Sequence, residues 1–164
     1  MKYGLKYIFP MISLLFLTCS KEQETKDLQP KNSSVFSQGK KITNDNFTGT
    51  TYLQMLMEAD SLNSISVGNV TFEPGSRSKW HIHPAGQILL GMDGVGYYQE
   101  KGQPKKILRK GDVIKCPPNT PHWHGASSDM PFVQVAITGR EKGETVWLEP
   151  VTDEEYHQYF NKIP

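Results

Sequence analysis

Four of the chain's five histidines stand in two short strings, His81-Ile82-His83 and His122-Trp123-His124. On a β-strand, residues i and i+2 point to the same face. Each string therefore presents two imidazoles on one side and an apolar side chain on the other. If those faces line the inside of a barrel, several ring nitrogens converge. Imidazole suits divalent Zn, Fe, Mn, Cu and Ni. Gln87 follows His83 after the turn Pro84-Ala85-Gly86 and can add a neutral oxygen from the next strand.

The surrounding sequence supports a β reading. From Phe47 onward, short runs rich in Val, Ile, Tyr and Thr are separated by Gly, Pro, Asn and Asp, the pattern of an all-β sandwich or barrel. Strands are expected over Thr51–Met57, Ser66–Phe72, Ser78–His83, Gln87–Met92, Val95–Gln99, Lys106–Arg109, Asp112–Cys116, His122–Ala126, Phe132–Thr138 and Thr145–Glu149. Asp93-Gly94 reads as a tight hairpin turn. Thr152 followed by Glu155 forms a capping box, so a short helix is expected to about Phe160, with Tyr156 and Phe160 on one face. No internal repeat or second domain is visible.

The 164 residues are more than this domain needs. The chain opens with Lys2 and Lys6 and an apolar run from Tyr7 to Leu17, which is the pattern of a secretory signal. The run is shorter than the roughly 20 apolar residues that cross a bilayer. It ends in Leu15-Phe16-Leu17-Thr18-Cys19, which resembles a bacterial lipobox, with plain signal cleavage as the alternative. Residues 1–19 are thus read as a signal segment, residues 20–46 as a disordered polar linker, and residues 47–164 as the folded domain. Both forms of processing place the protein outside the cytoplasm, in the periplasm or at a bacterial surface. Membrane contact would come only through a lipid on Cys19. A net charge of +1 with interspersed signs leaves no footprint for nucleic acid. With Cys19 processed, Cys116 has no partner for an internal disulfide, so stability must come from a packed core.

Gly75, His81, His83, Gln87 and Gly94 match in spacing the first motif of the cupins. Gly111, Pro117, Asn119 and His122 resemble the second. The first motif usually carries Glu where this chain has Gln87. In the second, Asn119 stands where Gly is common and Gly125 where Asn is common. The strings Trp80-His81-Ile82-His83-Pro84-Ala85-Gly86-Gln87 and Pro121-His122-Trp123-His124-Gly125-Ala126 are similar to a narrower bacterial subgroup, which includes the manganese-dependent hydroxynitrile lyases. The resemblance implies an antiparallel jelly-roll barrel with a short C-terminal helix, and one divalent metal held by His81, His83, Gln87 and His122. It ranks Mn before Fe, and both before Zn or Ni.

The same resemblance implies a small organic substrate whose oxygen meets the metal while a base takes a proton. The lyases carry a further histidine where this chain has Gln134, which cannot act as a base. His124 is the substitute, or else a hydrogen-bonded support for the ligands. A dioxygenase using Fe or Ni and a non-catalytic binding cup are the other readings, and a homodimer is expected by family analogy. Trp80, Trp123 and Tyr98 read as core or pocket-wall aromatics, Arg77 and Lys79 as solvated strand edges, and Cys116 as buried and inert.

Overall fold

The structure is a computed structural model that describes Met1 and residues 34–158. The chain divides into two units, Met1–Asn32 and Ser33–Pro164, and the fold is that of the second. The expected signal segment beyond Met1, Cys19, the first part of the expected linker, and Phe160 lie outside the described residues. Among the described residues, no helix is long and apolar enough to cross a membrane.

Among the described residues, twelve strands precede one short helix. They are β1 (Lys40–Lys41), β2 (Phe47–Thr48), β3 (Thr51–Met57), β4 (Ile65–Phe72), β5 (Arg77–Ser78), β6 (His81–Ile82), β7 (Gln87–Glu100), β8 (Lys106–Arg109), β9 (Val113–Cys116), β10 (His122–Ala126), β11 (Phe132–Gly139) and β12 (Val146–Trp147), followed by α1 (Asp153–His157). Every pairing is antiparallel. One sheet runs β1-β3-β4-β11 to the first half of β7, with β9 on that half's other side. The other joins the second half of β7 to β8 and β10, and β10 continues to β5 and β6. β2 pairs with β5, and β12 with β6. The result is the expected all-β, curled jelly-roll barrel with a short C-terminal helix.

The join between the sheets differs from expectation. Asp93-Gly94 does not end a strand, because β7 runs through it from one sheet into the other. The pairing with β11 slips between Val133 and Gln134, whose partners are Asp93 and Gly91. Such a bulge bends a strand and increases its twist. Gly94 takes φ +76°, and a Cβ there would sit 1.9 Å from the carbonyl oxygen of Pro131. The Asp-Gly pair thus serves a sharp bend and a close backbone approach, two needs that share the hairpin's residue chemistry.

Two further differences have similar causes. Lys40 and Lys41, inside the stretch expected to be linker, pair with Leu53 and Tyr52. An edge strand is held by its backbone and needs no apolar side chains, so a polar composition hid it. The expected strand Ser78–His83 is split into β5 and β6. Arg77, expected to be solvated, is 5% exposed. Its guanidinium donates to the Val151 carbonyl oxygen at 3.1 Å and to Asp153 Oδ1 at 2.6 Å, and lies 4.6 Å from the Tyr156 ring centroid.

Alternation along β10 divides the core. One cluster, with Phe72, Leu89, Tyr98, Leu108, Cys116, Ala126 and Phe132, fills the barrel. The other groups Trp123 with Trp80, Tyr97, Val151 and Tyr156 under α1. Each fully buried large apolar side chain contributes about 1.5–3 kcal/mol. The capping box at Thr152 and Glu155 forms as expected, and Tyr156 Oη donates to the Ala126 carbonyl oxygen at 2.8 Å. Trp123 thereby turns away from the barrel, which leaves His122 and His124 facing inward.

Candidate metal centre

Backbone pairing brings the two histidine strings together. His122 lies directly opposite His81 in the β10–β6 register, and their ring centroids are 4.4 Å apart. His83 follows on the same side, 4.9 Å from His81 and 5.5 Å from His122. His81, His83 and His122 each bring a ring nitrogen to a common point, all within 4.8 Å of one another. All three are buried.

The second nitrogen of each ring is already engaged. His81 Nδ1 lies 2.9 Å from the Lys79 carbonyl oxygen, and His122 Nδ1 lies 2.7 Å from that of Thr120. A carbonyl only accepts, so both Nδ1 atoms carry the proton and both Nε2 atoms keep a lone pair. His83 Nδ1 is 3.2 Å from Thr145 Oγ1. Gln87 Nε2 donates to Thr138 Oγ1 at 2.8 Å, which fixes its amide.

These contacts leave buried orphans. His83 Nε2, His122 Nε2 and Gln87 Oε1 have no hydrogen-bond partner, nor do His124 Nε2 and Gln134 Oε1. A buried polar atom without a partner costs about 1–3 kcal/mol. Two of these, His83 Nε2 and His122 Nε2, belong to the three imidazoles that converge on one point; buried acceptors gathered in this way are what a cation requires, so the residues fit a divalent metal. Burial is the main cause that lowers the proton affinity of His81, His83 and His122, and it takes His83 from 6.5 to about 3. The rings are therefore neutral at physiological pH, the form in which imidazole binds a metal.

His81, His83, Gln87 and His124 line a cavity of about 130 Å³, together with Phe47, Leu53, Val70, Ala136 and Trp147. Trp147 pairs with His81 across β12 and β6, and its ring lies 5.0 Å from the imidazole. Gln134 is fully buried and is not among the lining residues, since it sits behind His124 with Nε2 3.0 Å from His124 Nδ1.

A family model for the cupin domain matches residues 68–138. The (R)-mandelonitrile lyase of Granulicella tundricola is 40% identical over 115 residues, which cover 70% of this chain and 88% of that protein. The chain belongs to the cupin family. A solved cupin-like protein from Thermotoga maritima superposes on this cupin with a TM-score of 0.73 at 45% identity, over 74% of this chain and 93% of that one. An acireductone dioxygenase of Alcanivorax borkumensis is 28% identical over 86 residues, covering 51% of this chain and 46% of its own length.

Two departures from the cupin motifs are resolved by backbone geometry. Asn119 adopts φ +57°. Asn enters this left-handed region more readily than other side chains, so it can replace Gly there. Gly125 packs so closely on β5 that a Cβ would meet the Ser76 carbonyl oxygen at 2.4 Å. The supports Thr138 and Thr145 and the cavity residue Arg140 went unnoticed in the sequence. No local pattern marks them, because each reaches the site from a distant strand or loop.

Proposed function

We propose that this cupin is a divalent-metal-dependent lyase that breaks a carbon–carbon bond in a small hydroxylated substrate of the cyanohydrin or hydroxy-ketone kind. The observation that carries the reading is the set of buried, unpartnered, neutral donors: His83 Nε2, His122 Nε2 and Gln87 Oε1. Likeness to a mandelonitrile lyase over 88% of that protein supports the choice of reaction. His81, His83, His122 and Gln87 would hold the ion, with manganese the first choice and Fe, Zn or Ni next.

An ion with only neutral ligands keeps its full positive charge and supplies Lewis-acid activation of a substrate oxygen. The remaining work falls to the chain. Thr138 and Thr145 hold Gln87 and His83 in place. Phe47, Leu53, Val70 and Trp147 limit water in the cavity. His124 Nε2 is buried, and its ring lines the cavity, so His124 is the residue placed to move the substrate proton. For it to act as base, the proton must reside on Nδ1. Gln134 permits this when its amide turns so that Oε1, which has no partner, accepts from that nitrogen. The N-terminal signal pattern supports export, so this chemistry would take place outside the cytoplasm.

Elemental analysis of the purified protein, beside His83→Ala and His122→Ala, tests the centre. One equivalent of transition metal, lost in both variants, is expected. The loaded protein should then release carbonyl product from a panel of neutral and acidic cyanohydrins and hydroxy-ketones. A folded protein that takes up none of the four ions refutes the reading. A loaded protein that consumes oxygen instead replaces the lyase with a dioxygenase.

A further inference from the structure

The cavity beside the histidines has a second pole. Arg140 is the only permanently charged side chain among its described lining residues, and no carboxylate lines it. The guanidinium is held in place: Nε donates to Ser66 Oγ at 3.1 Å, and Nη1 donates to Thr145 Oγ1 at 3.1 Å. Thr145 Oγ1 in turn meets His83 Nδ1, so Arg140 stands two hydrogen bonds from a proposed metal ligand. Its charge is also one of the causes, after burial and His122, that lower the proton affinity of His83.

The cation is only partly neutralised. Nη1 pairs with Glu144 at 2.9 Å, but the Glu144 side chain is 87% exposed, where water weakens the pair. Nη2 has no hydrogen-bond partner among the described residues. A fixed guanidinium with a spare donor, on the wall of a mostly apolar cavity, favours an anionic oxygen.

We propose that Arg140 selects a substrate bearing a carboxylate, so that the cavity takes a short hydroxy acid or a carboxylated cyanohydrin with its hydroxyl toward the histidines. The inference rests on the metal-centred reading and narrows its substrate class. Size limits the class further. A cavity of about 130 Å³ is on the order of four water volumes, which suits a skeleton of a few carbons.

Calorimetric titration with glycolate and with its neutral amide, glycolamide, tests the proposal on manganese-loaded and metal-free protein. Glycolate is expected to bind at least tenfold more tightly than the amide, and Arg140→Gln to abolish that preference. Glu144→Gln, which alters only the exposed partner, is expected to tighten glycolate binding at low salt. This second variant keeps the question open to test if Arg140→Gln does not fold. Equal binding of acid and amide, or an unchanged preference in Arg140→Gln, overturns the proposal. If mandelonitrile is cleaved while glycolate shows no advantage, the lyase stands and the carboxylate selectivity falls. If no ion binds, the lyase falls and the metal-free contrast still reads Arg140.

Discussion

Gln134 Nε2 lies 3.0 Å from His124 Nδ1, and both residues are buried with one unpartnered atom each, Gln134 Oε1 and His124 Nε2. An amide can present either its NH2 or its oxygen to the ring, and each choice imposes a different tautomer. With the NH2 presented, His124 faces the cavity as an N–H donor. With the oxygen presented, it faces the cavity as a base. Gln134→Glu removes the choice, because a carboxylate can only accept. This variant is expected to move the His124 proton to Nδ1, visible in 15N spectra of the ring, and to speed carbon–carbon cleavage. Gln134→Leu strands His124 Nδ1 in the interior and should cost about 1–3 kcal/mol in denaturant unfolding. A cleavage rate unchanged in both variants would remove His124 from the proton transfer.

Protons act on this centre through the unfolded chain. The folded proton affinities of His81 and His124 lie well below 6.5, and that of His83 falls to about 3, with burial as the first cause in each. Unfolded histidines bind protons near pH 6.5 while the folded ones stay neutral. As the pH falls below 6.5 the unfolded state therefore gains protons that the folded state does not, and stability drops. The loss continues down to the folded values, near pH 3 for His83. Each such imidazole contributes a slope of about 1.4 kcal/mol per pH unit. Metal-free protein is expected to show a falling melting temperature from pH 6.5 downward, flattened in His83→Ala. At pH 7, above all three lowered values, the folded rings are already neutral, so loading the site should release almost no protons. Calorimetry in buffers of different ionisation enthalpy measures that number, and a release approaching one proton per ligand would contradict the neutral site.

The site was more legible than its surroundings, for a physical reason. The imidazole pairs follow from strand periodicity within three residues, and Gln87 from a short turn next to them. Arg140, Thr145 and Trp147 act across chain separations that no local pattern records, as in the pairing of Trp147 with His81. Arg77 misled because a charged residue beside a short strand usually faces water, whereas here the Val151 carbonyl, Asp153 and the Tyr156 ring receive it. Strand content was readable from β-branched runs, but the sheet to which each half of β7 belongs was not. Cys116 behaved as read: it is 1% exposed, and burial pushes its thiol up to about 12.

Metal and stability are linked through the orphaned nitrogens. An ion that binds only the folded state stabilises by about 4.1 kcal/mol when its free concentration is a thousand times Kd. Chelation should lower the melting temperature of the wild type accordingly. In His122→Ala the thermal shift on adding manganese should vanish. The metal-free variant should lose less than the 2–5 kcal/mol typical of a large core truncation, because the orphaned Nε2 leaves with the ring. A manganese-induced shift that survives in His122→Ala would place the ion elsewhere.

The bend in β7 offers a test of what joins the two sheets. Gly94 and Gly102 both have positive φ, +76° and +78°, so alanine at either meets the same left-handed backbone cost, about 1–2 kcal/mol. Their surroundings differ. A Cβ on Gly102 meets nothing within 4 Å, whereas one on Gly94 would lie 1.9 Å from the Pro131 carbonyl oxygen and 2.9 Å from its carbon. Those are rigid backbone atoms, and the Pro131 carbonyl oxygen also accepts from the Val95 N–H at 3.1 Å, so it cannot retreat without losing that bond. Gly102→Ala should therefore lose about 1–2 kcal/mol in equilibrium unfolding and still bind metal. Gly94→Ala should lose at least about 1–3 kcal/mol more, the cost of overpacking, and should weaken metal binding as well. The bend sets how the half of β7 that carries Gln87 meets the half that pairs with His122 and His124. Equal losses in the two variants would show that β7 can pass between the sheets without the close approach at Pro131.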